Sequence, residues 1–346
     1  MMRMMVLASG SKGNSAVIAS SRTRILVDAG LSCRELMRRM KEAGEDPCAL
    51  DAVIITHEHA DHVSGLPVLA RKLNIPVYFT EATHRAWIRQ MTPRTSMSYK
   101  QWLEKVRLEK QERLEAQALA HQIAASANEQ ETPDDHFFAA DFTVDATADP
   151  ESALQAAAAD DLCDDLPQET KAGIRENPSY LPAVEYFQAG HHLAIGDIDI
   201  LPFTIPHDAA DPCGFVFKSE GLQFGFATDL GYVPQNVKLA LKNCDVLLIE
   251  SNHDLEMLRD GPYPWSVKQR VLSRVGHLSN AAAAEFLTRD YDGGARFVVL
   301  GHLSESNNMP ELARLAAEQA LGNRLSLLGN RVLLAPQCAP MEPLCL

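Results

Sequence analysis

Three imidazoles and a carboxylate fall within six consecutive residues, in Thr56-His57-Glu58-His59-Ala60-Asp61-His62. His57 and His59 stand two apart, so in extended backbone both rings project to one side. Asp61 and His62 follow as the chain turns towards a helix near Gly65. Imidazole and carboxylate together suit zinc, manganese or iron. An ordinary catalytic zinc site uses three protein ligands and keeps a position open, so four donors in one loop exceed its needs. The natural reading is two divalent metal ions, with His57 and His59 on the first and Asp61 and His62 on the second. Zinc is the first choice, with manganese or iron also suited. A chain with 12 histidines will sometimes place two together on a surface loop. Three with an aspartate among them, straight after an apolar strand, is a much rarer accident.

Further polar groups able to bind metal sit where other apolar strands end. Ala52–Ile55 runs into Thr56-His57. Ile198–Phe203 leads to Ile205-Pro206-His207-Asp208, Gln223–Ala227 to Thr228-Asp229, and Phe297–Leu300 to Gly301-His302. A sheet fixes such groups while loops leave them accessible, although any one of them alone could be a turn or capping residue. The remaining elements read as strands over Met4–Leu7, Ala16–Ile18, Arg24–Val27, Pro76–Phe79, Phe215–Phe217, Val246–Ile249 and Val332–Leu334. Helices are expected from an N-cap at Ser32 to Lys41, over Leu66–Leu73, from near Glu81, after Asn280, and over Pro310–Leu321. Alternating strands and helices favour a layered α/β fold.

The chain has 346 residues, 46% of them hydrophobic, and a net charge of −14. The charge is unevenly spread: residues 101–180 hold 18 acids and 6 bases, against 28 and 26 elsewhere. The acidity that would argue against a nucleic-acid partner thus belongs to one segment. From Ser98 to about Ala127 the pattern is helical, and 128–182 is acidic and alanine-rich. We expect a single domain over 1–346, with an insertion or lid at about 92–183. No apolar run approaches the roughly 20 residues that cross a bilayer, and the N-terminal methionines lead into a strand and not a signal peptide. Seven cysteines without a C-x-x-C pair fit a reducing compartment. The expected location is cytoplasmic, with no membrane partner.

His57-x-His59-x-Asp61-His62 resembles the signature of the metallo-β-lactamase superfamily, and His207, Asp229 and His302 follow in the order of its later motifs. The resemblance implies a four-layer αββα sandwich. It implies that His57, His59 and His207 hold one metal, that Asp61, His62 and His302 hold the other, and that Asp229 bridges them. Within the superfamily the text is most similar to the YycJ/WalJ-type branch. The stretches concerned are Leu7-Ala-Ser-Gly-Ser-Lys-Gly-Asn-Ser15, Ile25-Leu-Val-Asp-Ala-Gly-Leu-Ser32, His207-Asp-Ala-Ala-Asp-Pro212 and Gly276-His-Leu-Ser-Asn280. The similarity covers about 1–90 and 184–340. It implies phosphodiester hydrolysis of the 5′-to-3′ DNA exonuclease type, with DNA preferred to RNA as partner.

In such chemistry a hydroxide bridging two metals attacks phosphorus. Asp61 would bind metal and accept a hydrogen bond from that hydroxide, and His277 would protonate the leaving group; the alternative for His277 is a structural hydrogen bond. Ser9, Ser11 and Asn14 in the polar loop, and Ser304 and Asn307 after His302, are the candidates for phosphate contacts, or else shape turns. Glu250 and His253 are candidates for groups that support the ligands. His84, His121, His136 and the pair His191-His192 read as incidental, the last for want of a carboxylate near in sequence. Two other functions remain open: a phosphodiesterase on a small cyclic or nucleotide substrate, and a metal-stabilised regulatory binding protein.

Overall fold

The computed structural model describes residues 1–92, 177–325 and 329–346. The first sheet runs through β1 (Arg3–Ala8), β2 (Ser15–Ala19), β3 (Arg24–Val27), β4 (Ala52–Ile54), β5 (Pro76–Phe79) and β6 (Ala183–Tyr186), each beside the next. It is antiparallel up to β3 and parallel from β3 to β6. The second sheet runs through β7 (Leu193–Ile195), β8 (Ile198–Thr204), β9 (Cys213–Ser219), β10 (Leu222–Ala227), β11 (Val246–Glu250), β12 (Phe297–Gly301) and β13 (Arg331–Leu334). It repeats the plan, antiparallel to β10 and parallel beyond. A short β14 (Leu344–Cys345) extends the first sheet beside β1.

Successive strand residues face opposite ways, and here both faces are buried. On β1, Met4 and Val6 point between the sheets, where Ile18, Val27 and Ile54 meet Phe215, Phe217, Phe224, Leu248 and Val299. Met5 and Leu7 point outward beneath α1 (Cys33–Glu42), α3 (Leu66–Leu73) and α4 (Glu81–Met91), against Leu36, Met40, Leu69 and Trp87. The other sheet is covered likewise by α5 (Gln235–Ala240), α8 (Asn280–Arg289) and α9 (Pro310–Leu321), through Val237, Phe286 and Ala317. The order is helices, sheet, sheet, helices, as the αββα expectation requires. Double burial explains why these strands read as continuous apolar runs.

The helices begin where their caps place them. Ser32 Oγ accepts from Glu35 N–H at 3.2 Å and Ser279 Oγ from Ala282 N–H at 3.1 Å. The short α2 (Ala60–Val63), α6 (Leu255–Asp260) and α7 (Trp265–Val271) are too brief to show a period in sequence, as are β7 and β14. Regular structure resumes with β6 at Ala183, where the expected insertion ends. The expected helix at Ser98 to about Ala127 and most of the insertion at about 92–183 lie outside the described residues, as do Cys163, His121 and His136.

Strands β8, β10, β11 and β12 share one direction, and the parallel run β3–β4 delivers its ends to the same place. Three strand-end residues, Asp28, Asp229 and His302, have φ of 61°, 59° and 55°. This left-handed region costs an L-residue roughly 1–2 kcal/mol, and it turns each side chain sharply off its strand. The loop carrying Asp61 and His62 is fastened by backbone to the start of β2 and the end of β3: Asn14 N–H donates to Asp61 O at 2.7 Å and Ala29 N–H to His62 O at 2.7 Å. Gly30 permits this approach, since a Cβ there would strike Asp61 O. Gly30→Ala is therefore expected to lower stability by about 1–3 kcal/mol, read as the urea midpoint; an unchanged midpoint would show that the loop is not held by this contact.

Candidate metal centre

His57, His59 and His207 form a triangle of ring nitrogens: His57 Nε2 and His207 Nε2 each lie 3.2 Å from His59 Nδ1. Beside it, His62 Nε2 lies 3.5 Å from both Asp61 Oδ2 and Asp229 Oδ2, and His302 Nε2 lies 3.7 Å from Asp61 Oδ2. Donor atoms within 4.8 Å of one another group as His57–His59–His207, as Asp61–His62–His302, and as His57–His62–Asp229 between them. A fourth group joins Asp229, Glu250, His277 and His302. Among the described residues no cysteine takes part.

The hydrogen bonds around the rings fix which nitrogen faces inward. Asp28 Oδ1 accepts from Thr56 N–H, and its Oδ2 accepts from Thr56 Oγ1 and from His62 Nδ1, all at 2.8 Å. With its proton directed to Asp28, Thr56 Oγ1 is left to accept from His57 Nδ1 at 3.0 Å. His207 Nδ1 donates to Gly276 O at 3.3 Å. Glu250 Oε1 accepts from both His277 Nδ1 and His302 Nδ1 at 2.8 Å, while its Oε2 takes the Leu230 and Leu278 N–H groups. His57, His62, His207 and His302 thus turn Nδ1–H outward and Nε2 inward.

Burial, with repulsion from His62 and His59, drives His57 well below the usual imidazole range, and burial chiefly pushes His207 down to about 4. Burial works against ionisation of Asp229, yet His302 and His62 outweigh it and hold the carboxyl well below its ordinary value. The same contest leaves Asp61 well below the carboxylate range, through His62 and His302, and Glu250 at about 2, through His277 and His302. Burial raises Asp28, with His62 and Thr56 opposing. Burial opposes charge on His62 and His302 as well, yet the carboxylates Asp61, Asp229 and Asp28 around His62, and Asp229, Asp61 and Glu250 around His302, raise both rings well above the usual imidazole range. Deprotonated imidazoles and carboxylates are the forms that ligate cations, so a cation bound here takes the place of the protons on these two rings. Asp229 Oδ2 and His302 Nε2 are buried without a hydrogen-bond partner, which is costly unless an ion completes them. The donor set therefore fits divalent cations.

Residues 8–123 match the profile of the metallo-β-lactamase superfamily, and 134–303 match that of a β-lactamase superfamily domain. The exodeoxyribonuclease WalJ of Streptococcus pneumoniae serotype 2 is 32% identical over 315 residues, which cover 90% of this chain and 84% of that one. This chain belongs to the metallo-β-lactamase superfamily. A second relative, the exodeoxyribonuclease YycJ of Bacillus anthracis, is 31% identical over 316 residues, 91% of this chain and 88% of its own. The metallo-β-lactamase fold protein YhfI from Bacillus subtilis superposes with a TM-score of 0.57, covering 99% of this chain and all of its own. At 14% identity it speaks to the fold alone.

In this metallo-β-lactamase-fold centre the seven side chains His57, His59, Asp61, His62, His207, Asp229 and His302 come together, with His277 adjoining through Glu250. The residues expected at phosphate are engaged as follows. Ser9 is buried, and its Oγ accepts from His302 N–H at 2.7 Å. Buried Asn14 donates to Gly10 O and to Asp61 Oδ2 at 3.0 Å. Ser304 Oγ accepts from Asn307 N–H at 3.2 Å, and Asn307 Oδ1 is turned towards Gly261. These hydrogen bonds shape the loops under the ligands; Ser11 is half-buried. His253 is buried with neither ring nitrogen paired among the described residues. His192, read as lacking a carboxylate, lies 3.0 Å from Asp199 across the β7–β8 hairpin, exposed. His84 stacks on Phe79 and Trp87 and meets Tyr186 OH at 2.9 Å.

Two contributors went unnoticed in the sequence. Asp28 is one, although its position after the apolar Arg24–Val27 run was the same signal that marks Asp229. Glu58 is the other: its Oε1 accepts from Ala210 N–H at 2.9 Å, tying the 57–62 loop to the His207 loop. Asp28→Asn and Glu250→Gln each remove an anion that orients Nε2 donors. Each is expected to weaken zinc affinity about 10–100-fold in competition against a chromophoric chelator; wild-type affinity in both would refute the orienting role.

Proposed function

We propose that this chain is a metal-dependent hydrolase of phosphodiester bonds, a DNA exonuclease acting from the 5′ end at a pair of divalent cations. His57, His59 and His207 would hold one cation and Asp61, His62 and His302 the other, with Asp229 shared. The observation that carries this reading is the adjoining of two separate three-donor groups, with Asp229 in a third group that takes a histidine from each. The names and near full-length coverage of the two exodeoxyribonuclease relatives support DNA as substrate. The reading takes the chain as one domain over 1–346 with an insertion at about 92–183.

Bound cations supply Lewis acidity at the phosphoryl oxygens and bring the ionisation of water towards neutral pH. The remaining work falls to side chains. Asp61, held by Asn14, keeps one oxygen near His62 and His302 and is placed to accept a hydrogen bond from the attacking water. His277 is the most exposed of the rings around Glu250, with 22% of its side chain accessible. Glu250 fixes its Nδ1–H and leaves Nε2 to carry a proton to the departing oxygen. Because Glu250 Oε1 also holds His302, one carboxylate sets the donor ring and a ligand ring together.

Digestion of end-labelled DNA with added Mn²⁺ or Zn²⁺, run beside a small cyclic diester, tests the reading. Stepwise release of nucleotides from the 5′ end is expected. Turnover of the small diester alone, or none with metal bound, would replace the reading. His277→Ala is expected to keep its metal content and lose about 10²–10⁴-fold in kcat; an unaltered kcat would remove His277 from the chemistry.

A further inference from the structure

Helices α5, α8 and α9 send apolar residues into the layer beneath them, whereas α7 buries none of its seven residues. Trp265, at its start, is 68% exposed, and Leu272, Val275 and Tyr232 are also exposed. Across residues 261–284 the chain carries Lys268, Arg270 and Arg274 and no aspartate or glutamate, in a molecule of net charge −14. Lys268 Nζ donates to the carbonyls of Arg259 and Gly261 and forms no ion pair among the described residues, although the Asp260 carboxylate lies within coulombic reach. The Arg274 guanidinium lies over the Tyr232 ring at 4.5 Å and forms no ion pair among the described residues.

This strip is continuous with the metal centre. Asp208 N–H donates to Val275 O at 3.1 Å, and Arg270 Nε pairs with Asp208 at 2.6 Å, next to His207. Gly231, two residues after Asp229, packs so closely on the Arg274 backbone that a Cβ would strike it. The strip then runs through Gly276, whose carbonyl holds His207, into His277.

We propose that α7 and the turn after it form a docking surface for single-stranded DNA entering the metal centre. Bases stack on Trp265 and on the Tyr232–Arg274 pair, and phosphates meet Lys268 and Arg274. The proposal rests on the nuclease reading and adds where the strand lies. Aromatic platforms set among cations suit a strand with unpaired bases. An apolar partner helix would call for no excess of cations. Exposed Trp, Leu and Val without acids is also an unusual surface to leave to water alone.

The test uses the full chain and a short fluorescein-labelled oligothymidylate, with binding read by anisotropy in chelator. Trp265→Ala and Arg274→Ala are each expected to weaken binding about tenfold, and Trp265→Phe to retain most of it. Arg274→Ala should also reduce the slope of log K against log salt by about 0.7. With metal, KM for the oligonucleotide should rise while kcat holds. A thymidine dinucleotide, too short to reach Trp265 along a helix rising about 10 Å, should turn over unchanged. Wild-type affinity in both alanine variants would overturn the surface and leave the nuclease reading standing. Trp265-dependent binding without cleavage would keep the surface and overturn the nuclease reading. A dimer that Trp265→Ala converts to monomer, with DNA binding untouched, would assign the face to a second copy and overturn the proposal.

Discussion

Four imidazoles crowd inward with their lone pairs converging, and each is held there by a hydrogen bond on its far side. Asp28, Thr56, Gly276 O and Glu250 take the Nδ1–H groups of His62, His57, His207 and His302. Without those acceptors a ring could turn over and present N–H where a lone pair is needed. Two of the acceptors are fully buried carboxylates, whose burial is tolerable only because every oxygen is bonded. Much of the local architecture follows from satisfying them. Glu250 needs the turns at Leu230 and Leu278, and Asp28 needs Thr56 immediately before His57.

The double sheet meets this demand by geometry. Burial on both faces makes the central strands rigid and apolar, so the buried polar groups of the centre appear where those strands stop. Several strands of common direction stop at one edge, and the left-handed residues Asp28, Asp229 and His302 aim their side chains from there. Each such residue carries a conformational cost, and the hydrogen bonds that gather at the same edge offset it. Strain and function therefore coincide at three of the same positions.

The sequence was most legible where one residue type had one plausible use. The 57–62 loop condenses four donors into a stretch that no packing argument requires, and the later His207, Asp229 and His302 are polar breaks after uninterrupted apolar runs. Long strands and capped helices could be read for similar reasons: Pro310–Leu321 is found over the expected residues, and Ser32 and Ser279 cap as their chemistry suggests. Ser9, Asn14 and Asn307 were harder. A small polar residue in a loop looks the same whether it meets a ligand or satisfies a neighbouring amide. Only coordinates show that Ser9 lies beneath the His302 backbone. Asp28 stands at a strand end as Asp229 does, but its role is to support His62, a ring that folding brings near, and no spacing in the sequence ties the two together.

The basic strip at 261–284 was obscured by a different averaging. A net charge of −14 describes the whole chain, but a polyanion meets only the surface near the reacting bond. There the chain presents three cations and no acids over 24 residues, joined by a backbone hydrogen bond to the His207 loop and packed through Arg274 on the loop after Asp229. Coulombic attraction between exposed groups fades within about 8 Å at physiological salt, so the acids that weigh against this strip are the near ones, Asp208 on Arg270 and Asp260 beside Lys268, and the Arg274 guanidinium over Tyr232 is the cation left to a phosphate. Local charge at the approach, and not the sum over the molecule, decides whether a nucleic-acid strand can be drawn towards a centre that is itself lined with carboxylates.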